Sequence, residues 1–158
     1  VFILGFTKIL PNNFLQKNKL NLVIHESNLP LGKGFSPVQW QILEGKNNIN
    51  VCLIEASDKV DSGDIFMETT LELNGTELHE EIRKKQAEST LELIDRFINN
   101  YPKVKRKKQI GKSSFYKKRY PLDSELDPNK SIIAEAIKII ISKGILYFSL
   151  PNKYKIWE

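Results

Sequence analysis

Residues 20–56 read LNLVIHESNLPLGKGFSPVQWQILEGKNNINVCLIEA, and the order of signals in that stretch decides the fold. LNLVIH, residues 20–25, is a short apolar run of the kind that makes a buried strand. Pro30, Pro37, Gly32 and Gly34 then shape a loop. Ser36 and Pro37 open a helix that runs to about Leu43, with Ser36 as N-cap and Pro37 in the first turn. Gly45 ends it. NVCLIEA, residues 50–56, is the next strand. The unit is strand, loop, helix, strand.

The flanks extend this pattern. Residues 1–10, VFILGFTKIL, read as a buried strand running into a loop bounded by Pro11 and Asn12. Residues 57–64, SDKVDSGD, are a polar loop. Residues 65–73, IFMETTLEL, alternate as a strand does, and Asn74-Gly75 marks a turn. A long helix is predicted from Thr76 to about Tyr101, capped by Thr76 and with Glu80 and Glu81 in its first turns. Leu78, Ile82, Leu91, Ile94, Phe97 and Ile98 fall at helical spacing and mark a core face. Pro102 stops the helix. Residues 103–130 are basic and loop-rich, residues 131–143 read as helix, and residues 144–157 as a short strand pair. Strands alternating with helices predict an α/β layer with a largely parallel sheet.

Composition narrows the class. A chain of 158 residues with 41% hydrophobic and 27% charged residues can bury a core, so wholesale disorder is excluded. Cys52 is the single cysteine, which excludes a disulfide scaffold and reads as a packed thiol in a reduced, cytoplasmic compartment. The most apolar stretch, residues 131–150, carries Glu135, Lys138 and Lys143 and does not read as a membrane span. VFILGF lacks the basic leader of a signal peptide. The chain opens without Met inside an apolar run, as expected of a piece of a longer protein.

Charge is uneven. Residues 1–101 hold 10 Lys/Arg and 14 Asp/Glu, a net −4; residues 102–158 hold 14 and 5, a net +9. Lys103, Lys105, Arg106, Lys107 and Lys108, then Lys117, Lys118 and Arg119, carry most of the excess. Such runs serve nucleic acid or a nucleotide, or they are solvated linker, and the linker reading is the simpler one. Tyr116 and Tyr120 could stack on bases.

Two residues stand out chemically. His25 ends a strand and begins a loop, the place where open α/β sheets bind ligands. Asp61 lies in the loop after the next strand, where the two could face one crevice, a carboxylate favouring the imidazolium form. The plainer readings are a structural histidine and an Asp-Ser-Gly turn, with Asp58 and Asp64 as solvated charges. His79, among glutamates, reads as surface. No metal-ligand cluster is visible, and Gly32-Lys33-Gly34 is not a Walker sequence.

Taken together, HESNLPLGKGFSPVQWQILEG and VDSGDI resemble the formyltransferases that use 10-formyltetrahydrofolate. These act on methionyl-tRNA, glycinamide ribonucleotide or amino-sugar nucleotides. His25, Ser27, Leu29, Pro30, Gly34, Pro37 and Asp61 fit the family pattern, including the spacing 61 − 25 = 36. GFTKILP resembles the end of the family's folate-pocket strand. The resemblance covers about residues 1–100. It implies a Rossmann-like formyltransferase sheet, of which residues 1–101 would be the C-terminal part, followed by a basic linker and small extension at residues 102–158.

The resemblance also implies roles. His25 would stabilise the oxyanion of the tetrahedral intermediate, and Asp61 would keep His25 charged and help move protons. Ser27, Leu29, Pro30 and Gly34 would line the substrate channel. Lys8, Ile9, Leu10 and Leu15, with Ala56, Ser57, Asp58, Lys59 and Val60, would hold the folate, without a metal. The family usually has Asn two residues before the histidine; here that position is Val23, which has no donor. Asn21 shares its strand parity but lies roughly 7 Å further back. The family's domain begins with strands and helices ahead of GFTKILP, so a missing N-terminal half or self-association is expected to cover an apolar sheet edge. The stretch SFYKKRYPLDSELD, residues 114–127, resembles linker sequence of surface-polysaccharide enzymes. It points to an amino-sugar nucleotide as acceptor, with methionyl-tRNA, or an inactive fragment, as alternatives.

Overall fold

The computed structural model describes residues 1–6, 8, 10–141 and 147–148. Its frame is a four-stranded mixed sheet in the order β1-β2-β4-β5. These strands are β1 Phe2–Ile3, β2 Leu22–His25, β4 Asn48–Glu55 and β5 Ile65–Glu72. Between them lie a one-turn helix α1, Asn12–Leu15, a two-residue strand β3, Lys33–Gly34, and helix α2, Pro37–Leu43. The long helix α3, His79–Asn100, follows β5. Beyond it come β6 Phe115–Tyr116, a 3-10 turn Pro121–Ser124, β7 Glu125–Leu126, helix α4 Ile132–Ile141 and β8 Tyr147–Phe148.

The expectation of a largely parallel sheet is corrected here. Within this sheet, among the described residues, only β1 and β2 run parallel; β2 pairs antiparallel with β4, and β4 with β5. The nine residues between β4 and β5 are too few for a crossover, which takes a dozen or more, so the chain doubles back. The β4–β5 ladder slips by one residue between Leu53 and Ile54, leaving Phe66 unpaired opposite them.

The core lies on both faces of β4. Leu22, Val38, Ile49, Val51, Leu53, Leu71, Ile82, Leu93 and Phe97 form its larger cluster, joining the sheet to α2 and α3. Leu29, Cys52, Ile54 and Ile65 form the smaller one beneath the His25 loop. Cys52 is fully buried, and burial foremost pushes its thiol up to about 12. It is a packed thiol, inert as a nucleophile at neutral pH.

Helix α3 differs from expectation in two ways. It begins two residues late, with Leu78 rather than Thr76 at the N-cap. The turn before it is organised instead by the buried Glu77 carboxylate, which accepts from the N–H groups of Asn74 and Gly75 and from Lys85 Nζ at 2.6 Å. Glu81 reaches back to the Leu78 N–H at 2.8 Å. Its buried face also holds Gln86, Ser89 and Leu93, whereas Leu78, Leu91 and Ile98 are exposed. β1 is a sheet edge, and Val1, Leu4 and Phe6 beside it are about half exposed.

Of the helix read at residues 131–143, Ile132–Ile141 is helical, and residues 142–143 lie outside the described residues. Of the strand pair expected at residues 144–157, β8 pairs parallel with β7; the remainder lies outside the described residues. Among the described residues no helix is long and apolar enough to cross a membrane.

Candidate active site

His25 is the last residue of β2, where its backbone pairs with Cys52. The apolar register of β2 and β4 buries His25 to 4% exposure. The chain then turns through a loop closed on itself: the Ser27 hydroxyl donates to Leu31 O at 2.7 Å, and the Leu29–Pro30 bond is cis. That turn aims the Gly32 carbonyl back at His25 Nε2, 2.8 Å away. The other ring nitrogen, Nδ1, faces Asp61 Oδ2 at 3.3 Å. Both ring nitrogens thus face oxygen atoms, one from each of the two loops.

Asp61 comes from the loop joining β4 to β5. Its φ of 44° lies in the left-handed region, which costs a non-glycine residue on the order of 1 kcal/mol. The same Oδ2 that faces His25 accepts the Gly34 N–H at 2.8 Å. One carboxylate oxygen therefore joins the two loops. Gly63, two residues on, presses so tightly on the Glu55 carbonyl that a Cβ there would overlap it. Lys33, 6% exposed, reaches across with Nζ 2.9 Å from Ser62 Oγ, and that hydroxyl donates to Val60 O.

His25 and Asp61 sit in the wall of a cleft of about 580 Å³, within the range that holds a small organic ligand. Of the residues expected around a folate, Lys8, Leu10, Ala56, Ser57, Lys59 and Val60 line it. Ile9 lies outside the described residues. Leu15 and Asp58 are not in the wall; the Leu15 carbonyl accepts from the buried Asn21 side chain at 2.9 Å. That bond turns Asn21 away from the cleft, so it supplies no donor in place of Val23. Val23 itself lines the cleft as an apolar surface packed on the smaller core cluster. Ser27, Leu29, Pro30 and Gly34, expected along a substrate channel, are not in the wall of this cleft.

The opposite wall was not anticipated. Arg83, Gln86, Ala87, Thr90 and Leu91 of α3 complete the cleft, and Gln86 donates to Glu26 Oε1 at 3.1 Å. Leu91, exposed on the apolar stripe of α3, belongs to this wall. His79, read as surface, is half buried and touches Glu80 at 3.0 Å. Among the described residues no group of three or more His, Cys, Asp or Glu side chains could hold a metal ion.

A family model described as formyl transferase matches residues 1–98. The chain belongs to the formyl transferase family. A methionyl-tRNA formyltransferase of Buchnera aphidicola is 29% identical over 167 aligned positions, covering 99% of this chain and 52% of the relative. The chain thus spans about half the length of that relative. In fold it is similar to methionyl-tRNA formyltransferase from Clostridium thermocellum, with a TM-score of 0.75, 24% identity, and 94% of this chain and 67% of that one covered. It is similar too to a formyltransferase from Anoxybacillus kamchatkensis solved with UDP-4,6-dideoxy-4-formamido-L-AltNAc and tetrahydrofolate. There the TM-score is 0.63, the identity 18%, and the coverage 74% of this chain and 62% of that one. These likenesses establish the α/β formyltransferase fold; the antiparallel strands of this chain are part of it.

Proposed function

We propose that this chain carries the His–Asp site and folate cleft of an enzyme that moves a formyl group from 10-formyltetrahydrofolate to a primary amine. The observation that carries the reading is the buried His25–Asp61 pair in the wall of the 580 Å³ cleft. The cleft fits the co-substrate chemically. Ile3, Leu4, Phe6, Leu10 and Val23 offer flat apolar surface for a pterin and its aryl group, and the 56–60 loop offers backbone groups for the pterin edge.

Bound 10-formyltetrahydrofolate supplies the carbonyl carbon to which the amine adds. His25 is held between Gly32 O at Nε2 and Asp61 at Nδ1, which fixes the ring in the cleft wall beside the oxygen where negative charge develops. Asp61 holds the imidazolium in place and takes up the proton that the attacking amine loses, directly or through one water. When the carbon–nitrogen bond to the folate breaks, that proton returns to the departing nitrogen. Atoms and charge balance with no metal involved.

For the acceptor we take methionyl-tRNA. The Buchnera relative aligns through residues 102–158 as well as the catalytic part, and this segment carries the net +9 suited to a phosphate backbone. An amino-sugar nucleotide is the second reading, favoured by the resemblance at residues 114–127 and by the neighbour solved with a UDP-sugar. A transfer assay with both acceptors side by side separates them. Formylation of methionyl-tRNA, lost on His25→Ala and Asp61→Asn, is the expected result. Formylation of the amino sugar alone selects the second reading, and no transfer to either contradicts the proposal.

A further inference from the structure

Asp61 must hold a left-handed backbone and a fixed distance to His25, yet its own loop supplies little to keep it there. A side chain from far along the chain does. Gln109 Nε2 donates to Asp61 O at 2.8 Å and to Gly63 O at 2.9 Å. Both N–H groups of one amide thereby bridge the two ends of the Asp61–Gly63 turn. The two carbonyls fix the amide's orientation, since flipping it would set Oε1 against both, and Oε1 is buried with no partner among the described residues.

The segment that delivers Gln109 is anchored on both sides. Lys107 forms a reciprocal backbone pair with Ile65, at 2.8 Å each way, and Arg106 meets Glu55 at 2.6 Å and Asp64 at 3.7 Å. Further on, the Ser114 hydroxyl accepts the Gly32 N–H at 2.8 Å, and the Ser114 carbonyl accepts that of Lys33 at 3.0 Å. The strap of residues 106–116 therefore touches the loop of each partner in the His25–Asp61 pair. It lies beyond residue 98, where the family match ends.

We infer that Gln109 is a positioning residue: its amide holds the Asp61–Gly63 turn in the conformation that keeps Asp61 Oδ2 against His25 Nδ1. The inference rests on the catalytic reading above for its consequence, and on geometry alone for its cause. Gln109→Glu keeps the size and removes both donors while facing two carbonyls with a carboxylate. Gln109→Met keeps the size without charge. Ile110→Ala, at a neighbouring side chain with 87% exposure, is the control.

The direct readout is the Nδ1 proton of His25 by nitrogen-15 NMR, one of only two histidines to assign. The expected result is a protected proton in the wild type and in Ile110→Ala, with protection from solvent exchange down at least about tenfold in both Gln109 variants. In the transfer assay kcat falls about 10- to 100-fold, while KM for the folate stays within about threefold. An unchanged His25 proton in a folded Gln109 variant overturns the inference. If Gln109→Glu does not fold, Gln109→Met decides; failure of both to fold makes Gln109 a structural residue and also overturns it. If the wild type transfers nothing, the catalytic reading falls, but the proton exchange still decides whether Gln109 sets the pair.

Discussion

Residues 20–72 and residues 102–126 are held to the same molecule by different means. In the first region backbone groups satisfy one another along the β2–β4–β5 ladders, and the apolar side chains of the central strand β4 are almost wholly buried. In the second region the strands are two residues long, and beside a few backbone pairs such as Lys107 with Ile65, side chains do much of the joining: Gln109 and Ser114 to loop backbone, Arg106 to Glu55 and Asp64, Lys107 to Glu68, Trp40 Nε1 to Lys117 O. Burial makes the first region the source of stability. The second buries little and so adds little stability, but it touches the loops that carry His25 and Asp61. It sets geometry. The charge asymmetry along the sequence fits the same division, since the basic strap meets acids of the acidic part, and only part of its charge faces outward.

This contrast orders the expected effects. The largest belongs to the region of ladders and close packing. Gly63→Ala forces a methyl into the Glu55 carbonyl at the end of β4, and should cost about 3 kcal/mol or more in stability and abolish ligand binding. Chemical denaturation with parallel titration of a folate analogue checks this, and a near-neutral result would mean that the loop relaxes freely. Next come His25→Ala and Asp61→Asn. Each should lower formyl transfer by about 10²–10⁴-fold and leave affinity for the folate within a few-fold. Steady-state kinetics on folded variants distinguishes this from general damage.

Glu77 gives a smaller effect with a definite pH sign. Burial works to raise its pKa, but the Lys85 ammonium and the N–H groups at the turn outweigh that and hold it down to about 2. Its folded value lies below its unfolded one, so its contribution is complete above about pH 4.5 and is lost as pH falls toward 2. Glu77→Gln should cost about 2 kcal/mol at neutral pH and flatten the acid limb of the stability curve between those values. An unchanged acid limb would show that Glu77 does not organise the start of α3. The smallest effect is in the strap. Arg106→Ala removes partly exposed ion pairs and should cost under about 1 kcal/mol, less at high salt. A loss as large as that of Gly63→Ala would erase the distinction between the two regions.

What could be read in advance follows the range of the signals. β2, β4, β5 and α3 were legible because apolar alternation and helical spacing are local. Strand direction was not, because alternation carries no arrow; the short link from β4 to β5 was the available clue. Thr76 looks like a cap, but its hydroxyl donates to Asn74 Oδ1 instead, and the Leu78 N–H goes to Glu81. Leu91 and Ile98 look like core by spacing, while Gln86 is buried because Glu26 satisfies it. The His25 and Asp61 positions stood out through the combined motif and its spacing, whereas the α3 wall and Lys33 carry no motif. Gln109 was invisible, since an amide 48 residues from its acceptor leaves no periodicity.

The most direct test is calorimetric titration of the chain with a non-transferable analogue of 10-formyltetrahydrofolate, alongside Gly63→Ala. The account predicts binding at about micromolar affinity by the wild type and none by the variant. A wild-type chain that takes up no folate under conditions where its secondary structure is intact would contradict it.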